Sequence, residues 1–125
     1  MIAGYLQFAP LFGLKERNFD VIRSLAHDVR ADLLVLPELF ATGYTFTSPD
    51  EVKTLSEPVN GPTARFLMEL SALTGAVMVG GLVETENGKY YNSCLVTDHE
   101  KILGTYRKIH LFNKEKLSFS PGDRL

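Results

Sequence analysis

The run Leu33-Leu34-Val35-Leu36 sets four apolar side chains in succession and then stops at Pro37. A strand with one wet face alternates polar and apolar residues, whereas an unbroken apolar run is the mark of a strand buried on both faces. Pro37 closes the run because proline has no N–H to give to the next ladder bond.

Around this run the chain alternates strand and helix patterns. Ile2 to Phe8 reads as a buried strand. Leu14 to Arg30 reads as a helix, since Ile22, Leu25, Ala26 and Val29 recur at helical spacing and Phe19 extends their face. Gly61-Pro62 opens a second helix with proline at its first position, and Gly75 is placed to cap its end. Ala76 to Glu84 is a further strand, and Asn87-Gly88 is a two-residue hairpin signal. Tyr91 to Thr97 and Ile102 to Tyr106 complete the order β-α-β-α-β-β-β. The first strands imply parallel pairing through right-handed crossovers, and the last three form a meander, so the fold class is α/β.

With 125 residues, 45% hydrophobic and 22% charged, the chain is sized and composed for one domain with a real core. A formal net charge of −2 with no basic run gives no nucleic-acid footprint. No apolar run is long enough to span a bilayer, and the start lacks the pattern of a secretory leader, so a cytoplasmic location is expected. The one cysteine, Cys94, excludes an internal disulfide framework.

Charged residues fall where the pattern puts strand ends. Glu38 directly follows the buried run, and Lys108 follows the last strand in Tyr106-Arg107-Lys108-Ile109-His110-Leu111-Phe112. Ligands of open α/β sheets bind beyond the carboxyl ends of the strands, which is where both residues belong. In such a cleft Glu38 is suited to accept a proton and Lys108 to stabilise a developing oxyanion. Glu115, seven residues before Gly122, offers a second acid beside the lysine. The bland alternatives are a solvated loop for Glu38, a basic edge for Lys108 and a charged turn for Glu115. Tyr44 and Phe46 either wall a pocket or fill core. His110 reads as a structural hydrogen-bonding residue behind Lys108. His27 and His99 have no ligand-spaced partner, so no metal site is expected.

Leu34-Val35-Leu36-Pro37-Glu38 with Gly43-Tyr44, then Tyr106 to Phe112, then Glu115 to Gly122, together resemble the nitrilase family of carbon–nitrogen hydrolases over essentially the whole chain. The resemblance implies a four-layer α-β-β-α sandwich, with residues 1–125 an incomplete, N-terminal part supplying one helical layer and about one sheet. It implies Glu38 as general base, Lys108 as oxyanion stabiliser and Glu115 as the glutamate that positions groups around them. It also implies a cysteine nucleophile a few tens of residues beyond Glu115, outside this sequence, acting on a small amide or nitrile without any cofactor. Cys94 lies mid-strand and upstream of the lysine, and reads as inert. The alternative to an enzyme portion is a non-catalytic or split module that needs a complementary C-terminal chain. An uncovered sheet face of roughly 400 Å² predicts homo-oligomers or such a partner. A flavodoxin-like binding domain fits less well, because Ala9-Pro10-Leu11-Phe12-Gly13 carries one glycine and no phosphate loop.

Overall fold

In a computed structural model, which describes residues 1–124, the elements run β1 (Ala3–Tyr5), α1 (Lys15–Ala26), β2 (Leu33–Val35), α2 (Pro49–Leu55), α3 (Pro62–Thr74), β3 (Val77–Glu86), β4 (Lys89–Thr97) and β5 (Ile102–Arg107). A 3₁₀ turn, Asn113–Leu117, follows. The strands form one sheet in chain order, β1-β2-β3-β4-β5. β1, β2 and β3 pair in parallel, and β3, β4 and β5 make the antiparallel meander. The α/β class and the strand sequence are those expected.

Helices α1 and α3 cover one face of the sheet. Phe19, Ile22 and Ala26 of α1 meet Phe66, Leu67 and Leu70 of α3 over Leu34, Met78, Leu82 and Leu95 of the strands. Phe19 and Phe66 stack with centroids 4.1 Å apart. The α3 N-terminus has no side-chain cap of its own. The buried carboxylate of Glu57 replaces it, accepting from the Thr63 amide at 2.6 Å and the Thr63 hydroxyl at 3.0 Å while pairing with Lys15. Gly75, with φ 77°, ends the helix as the αL cap.

Four features depart from the sequence reading. Strand β1 is the short, largely exposed Ala3–Tyr5 rather than a buried strand over Ile2 to Phe8. Helix α1 stops at Ala26 rather than Arg30, and Leu25 points to solvent while Asn18 takes a buried position. Asn18 is buried because it is fully bonded: it receives the Leu11 amide at 2.8 Å and gives to the carbonyls of Leu11 and Ala41 at 2.9 and 2.8 Å. Helix α2 was not anticipated, although Ser48 and Glu51 form a capping box around Pro49. Finally, the apolar run of β2 is covered on one face alone, with Leu34 buried and Val35 38% exposed. Over the second face, Leu39, Val52 and Phe119 pack with Val83 to cover one end of β3, and the row through Val35 is left open. No helix among them is long and apolar enough to cross a membrane.

Candidate active site on the open face of the sheet

The loop after β2 carries Glu38 over the open face. Leu36 still donates to Val79 at 2.8 Å, continuing the β2 register, before Pro37 breaks the ladder. Leu39 then turns with φ 49°, and Gly43 and Thr42 donate back to its carbonyl at 2.8 and 3.2 Å. The side chains of Leu39 and Phe40 are fully buried, which anchors the turn and leaves Glu38 outside it. This crossing requires Gly81 beneath it. A Cβ there would stand 2.8 Å from the Leu39 nitrogen.

Lys108 begins where β5 ends. Its amide donates to the Asn92 carbonyl at 2.8 Å, and its carbonyl accepts from Gly122 at 3.0 Å, so its backbone is held on both sides. Its neighbour Arg107 points to the helical face, where it pairs with the buried Glu84, reaches Glu86 at 2.8 Å and lies 3.9 Å from the Tyr91 ring centroid. The alternation of a strand thus turns one basic residue into an anchor and sends the next into the site. Nothing in the sequence pattern separates Arg107 from its basic neighbours, and this anchoring pair was missed.

Glu115 sits in the 3₁₀ turn that follows, folded back over β4. Its carboxylate accepts the Phe112 amide at 2.5 Å and the Asn92 side-chain amide at 2.8 Å, and it pairs with Lys108 at 3.0 Å. Glu38 accepts from the Lys108 ammonium at 2.9 Å and from Asn92 Nδ2 at 2.6 Å, both through Oε1. Glu38, 70 positions from Lys108, therefore meets Lys108 and Glu115 in one cluster. Asn92, which the sequence reading passed over, stands at its centre.

The two acids differ in environment. Glu115 has a 5% exposed side chain and both oxygens occupied, whereas Glu38 is 49% exposed and its Oε2 has no hydrogen bond among the described residues. Burial alone would raise the Glu115 pKa, but the donors from Phe112, Asn92 and Lys108 outweigh it and hold the carboxyl below its ordinary range. Burial alone would lower the Lys108 pKa, yet the bonds to Glu38 and Glu115 win and keep the ammonium charged. With its ammonium bonded to the two acids, Lys108 keeps one of three N–H donors for another group.

Tyr44 lies with its ring centroid 6.0 Å from the Lys108 ammonium, at the edge of the site. Phe46 lines the pocket next to Tyr44 and Glu115 and is also part of the core. It packs edge-to-face on Phe12 and Phe119, within the small core under the loops. His110 is exposed and has no hydrogen bond among the described residues, so it is not the backing residue that the sequence suggested. Among the described residues no three His, Cys, Asp or Glu side chains are grouped to hold a metal. Cys94 lies on the open face two residues from Asn92; burial pushes its thiol pKa up, and its nearest bond is a weak one to the Leu95 carbonyl at 3.8 Å.

An exposed acid oxygen, a free ammonium N–H and a saturated second acid together suit proton transfer beside a stabilised oxyanion. Comparison with known proteins gives the chain's relatives. The chain is 38% identical over 123 residues to a nitrilase of Pyrococcus abyssi, covering 95% of this chain and 47% of that protein. It is 35% identical over 108 residues to an (R)-stereoselective amidase of Pseudomonas sp, covering 86% of this chain and 38% of the amidase. A superfamily protein from Xanthomonas campestris shares the fold with a TM-score of 0.84 at 24% identity, over 95% of this chain and 45% of that one. The chain thus spans about half the length, or less, of these relatives. Residues 3–125 match the family described as Carbon-nitrogen hydrolase, and the chain belongs to that family.

Proposed function

We propose that this chain is the N-terminal portion of a cysteine-dependent hydrolase that cleaves carbon–nitrogen bonds of small amides or nitriles, with the amide reaction favoured. The observation that supports it most is the asymmetry of the acids: Glu38 keeps Oε2 unbonded while Glu115 is saturated. Glu38 Oε2 takes the proton of a thiol and returns it to the departing nitrogen. Lys108 gives its remaining N–H to the oxyanion of the tetrahedral intermediate. Glu115 holds Lys108 and Asn92 in place and transfers no proton. The resulting thioester is hydrolysed by water activated at Glu38. The thiol is the cysteine that the family resemblance implies outside these 125 residues; the burial that raises the Cys94 pKa opposes thiolate formation at Cys94.

Ammonia release from a panel of simple amides and nitriles tests this in the protein as its gene encodes it. Hydrolysis lost in Glu38→Gln and in Lys108→Met supports the assignment. Hydrolysis that survives both substitutions, or that vanishes in Cys94→Ser, contradicts it.

A further inference from the structure

We infer that Asn92 is a positioning residue, whose side-chain amide spends one N–H on each carboxylate and so fixes which oxygen of Glu38 is left to act as the base. Its consequence for catalysis rests on the hydrolase reading above. The bridge itself does not.

Asn92 Nδ2 stands 2.6 Å from Glu38 Oε1 and 2.8 Å from Glu115 Oε1. Lys108 Nζ stands 2.9 and 3.2 Å from the same two oxygens. Two donors and two acceptors therefore alternate around a closed ring. Both partners of the Asn92 amide are carboxylate oxygens, so its nitrogen rather than its oxygen must face them. Two carboxylates drawn together around one ammonium carry a net negative charge, and like charges at that range favour protonation of one acid. A neutral amide with two hydrogens offsets this without adding a second cation that would compete with Lys108.

The ring also removes an ambiguity. Glu38 is half exposed, and its two oxygens are chemically equivalent until something distinguishes them. Asn92 and Lys108 both bond Oε1, which leaves Oε2 the available oxygen. Asn92 is suited to this task because it is itself 5% exposed and held in β4, where its carbonyl receives the Lys108 amide at 2.8 Å. One residue thus fixes the lysine through its backbone and both acids through its side chain. A serine could donate only one hydrogen, and an aspartate none when ionised.

The test follows the carboxyl carbons of Glu38 and Glu115 and the Asn92 side-chain amide by NMR titration, alongside kinetics, in the protein as its gene encodes it. In the unsubstituted protein both Asn92 amide protons are expected to shift with the titration of the two carboxyls. In Asn92→Ala, and in the equally sized Asn92→Asp, the Glu115 midpoint is expected to rise. Values of kcat are expected to fall about 10- to 100-fold with KM changed less than about threefold, as for a misplaced catalytic group. The acid limb of the pH profile should move upward. Asn92 protons insensitive to the carboxyl titration, or a Glu115 midpoint unmoved in the variants, would overturn the inference, whatever the activity. If Glu38→Gln retains full hydrolysis, the proposed reaction fails, and the titrations still decide the bridge.

Discussion

Glu38 and Lys108 are 70 positions apart in the chain and meet at 2.9 Å, although the strands that deliver them, β2 and β5, are not neighbours. Three strand spacings of ~4.8 Å separate those strands, about 14 Å in all, which the lysine side chain alone does not cover. The rest of the distance is made by the loop from Pro37 to Gly43, which crosses β3 at Gly81. Contact between the two residues therefore depends on how closely that loop lies on the sheet.

Gly81→Ala tests this dependence at a position with no polar side chain in play. The added Cβ would meet the Leu39 nitrogen at 2.8 Å, a backbone atom that cannot rotate away. The loop has to lift, carrying Glu38 from Lys108. Stability is expected to fall by about 1–3 kcal/mol, as for overpacking of a filled site. In the hydrolase, kcat is expected to fall alongside. Urea denaturation and kcat measured on the same preparation check both; a variant unchanged in each would contradict the close crossing.

Lys108→Met keeps the length of the stem and removes the charge. If Lys108 supplies the oxyanion donor, kcat is expected to fall by about 10²–10³, the usual effect of losing one such donor. Lys108→Arg is expected not to restore it, because a planar guanidinium cannot replace a compact ammonium between two carboxylates already spaced for it. Steady-state kinetics on both variants decide the matter. Restoration by arginine would mean that charge alone is needed there.

Acid sensitivity follows from Glu115. Its carboxyl ionises more readily in the folded protein than in the unfolded chain, since the Phe112, Asn92 and Lys108 donors outweigh the effect of burial. Its contribution to stability is therefore complete above the ordinary glutamate value of about 4.3 and is lost as pH falls through that value towards the lower folded one. The raised Lys108 pKa acts at the other end of the scale and leaves this window untouched. Glu115→Gln should be less stable than the unsubstituted protein at neutral pH, with the difference narrowing as the pH is lowered. Denaturation midpoints of the two proteins across that range check it. A difference independent of pH would show that the ionised carboxylate contributes nothing.

Much of this was legible in the sequence, for reasons that differ from residue to residue. The run Leu33-Leu34-Val35-Leu36 and the Asn87-Gly88 turn mark strands through local pattern, and both strands form, although β2 is covered on one face rather than two. Glu38 and Lys108 were legible because strand ends are where α/β sheets place ligands. Asn92 was not, because an asparagine within a strand gives no local sign of the long-range partners that bury it. The Glu84–Arg107 pair was hidden in the same way: each residue looks like an ordinary surface charge until β3 and β5 bring them to one face. Helix α2 was missed despite a legible signal, the Ser48 to Glu51 capping box, since its seven residues are too few to show an apolar period.

The uncovered face of the sheet gives the remaining prediction. In register across the strands lie Tyr5, Val35, Val79 and Val96, with Tyr106 one row away opposite Cys94. Tyr5 and Tyr106 are 73% and 45% exposed, and Val35 is 38% exposed, so the row faces solvent. A five-stranded face of roughly 400 Å² in flat projection already falls in the range of the largest apolar patches on soluble monomers, ~300–600 Å². Two copies of the chain, each offering such a face, would cover both. Residues 1–125 expressed alone are therefore expected to associate with themselves at about 10–100 μM, a range in which exposed apolar surface drives association. A charge on the row, as in Val35→Lys, is expected to shift the equilibrium towards monomer without unfolding the helical side, because that residue packs against nothing in the helix layer. Light scattering on the eluting peak measures both. A folded monomer throughout that range would mean that the open face is tolerated by water as it stands.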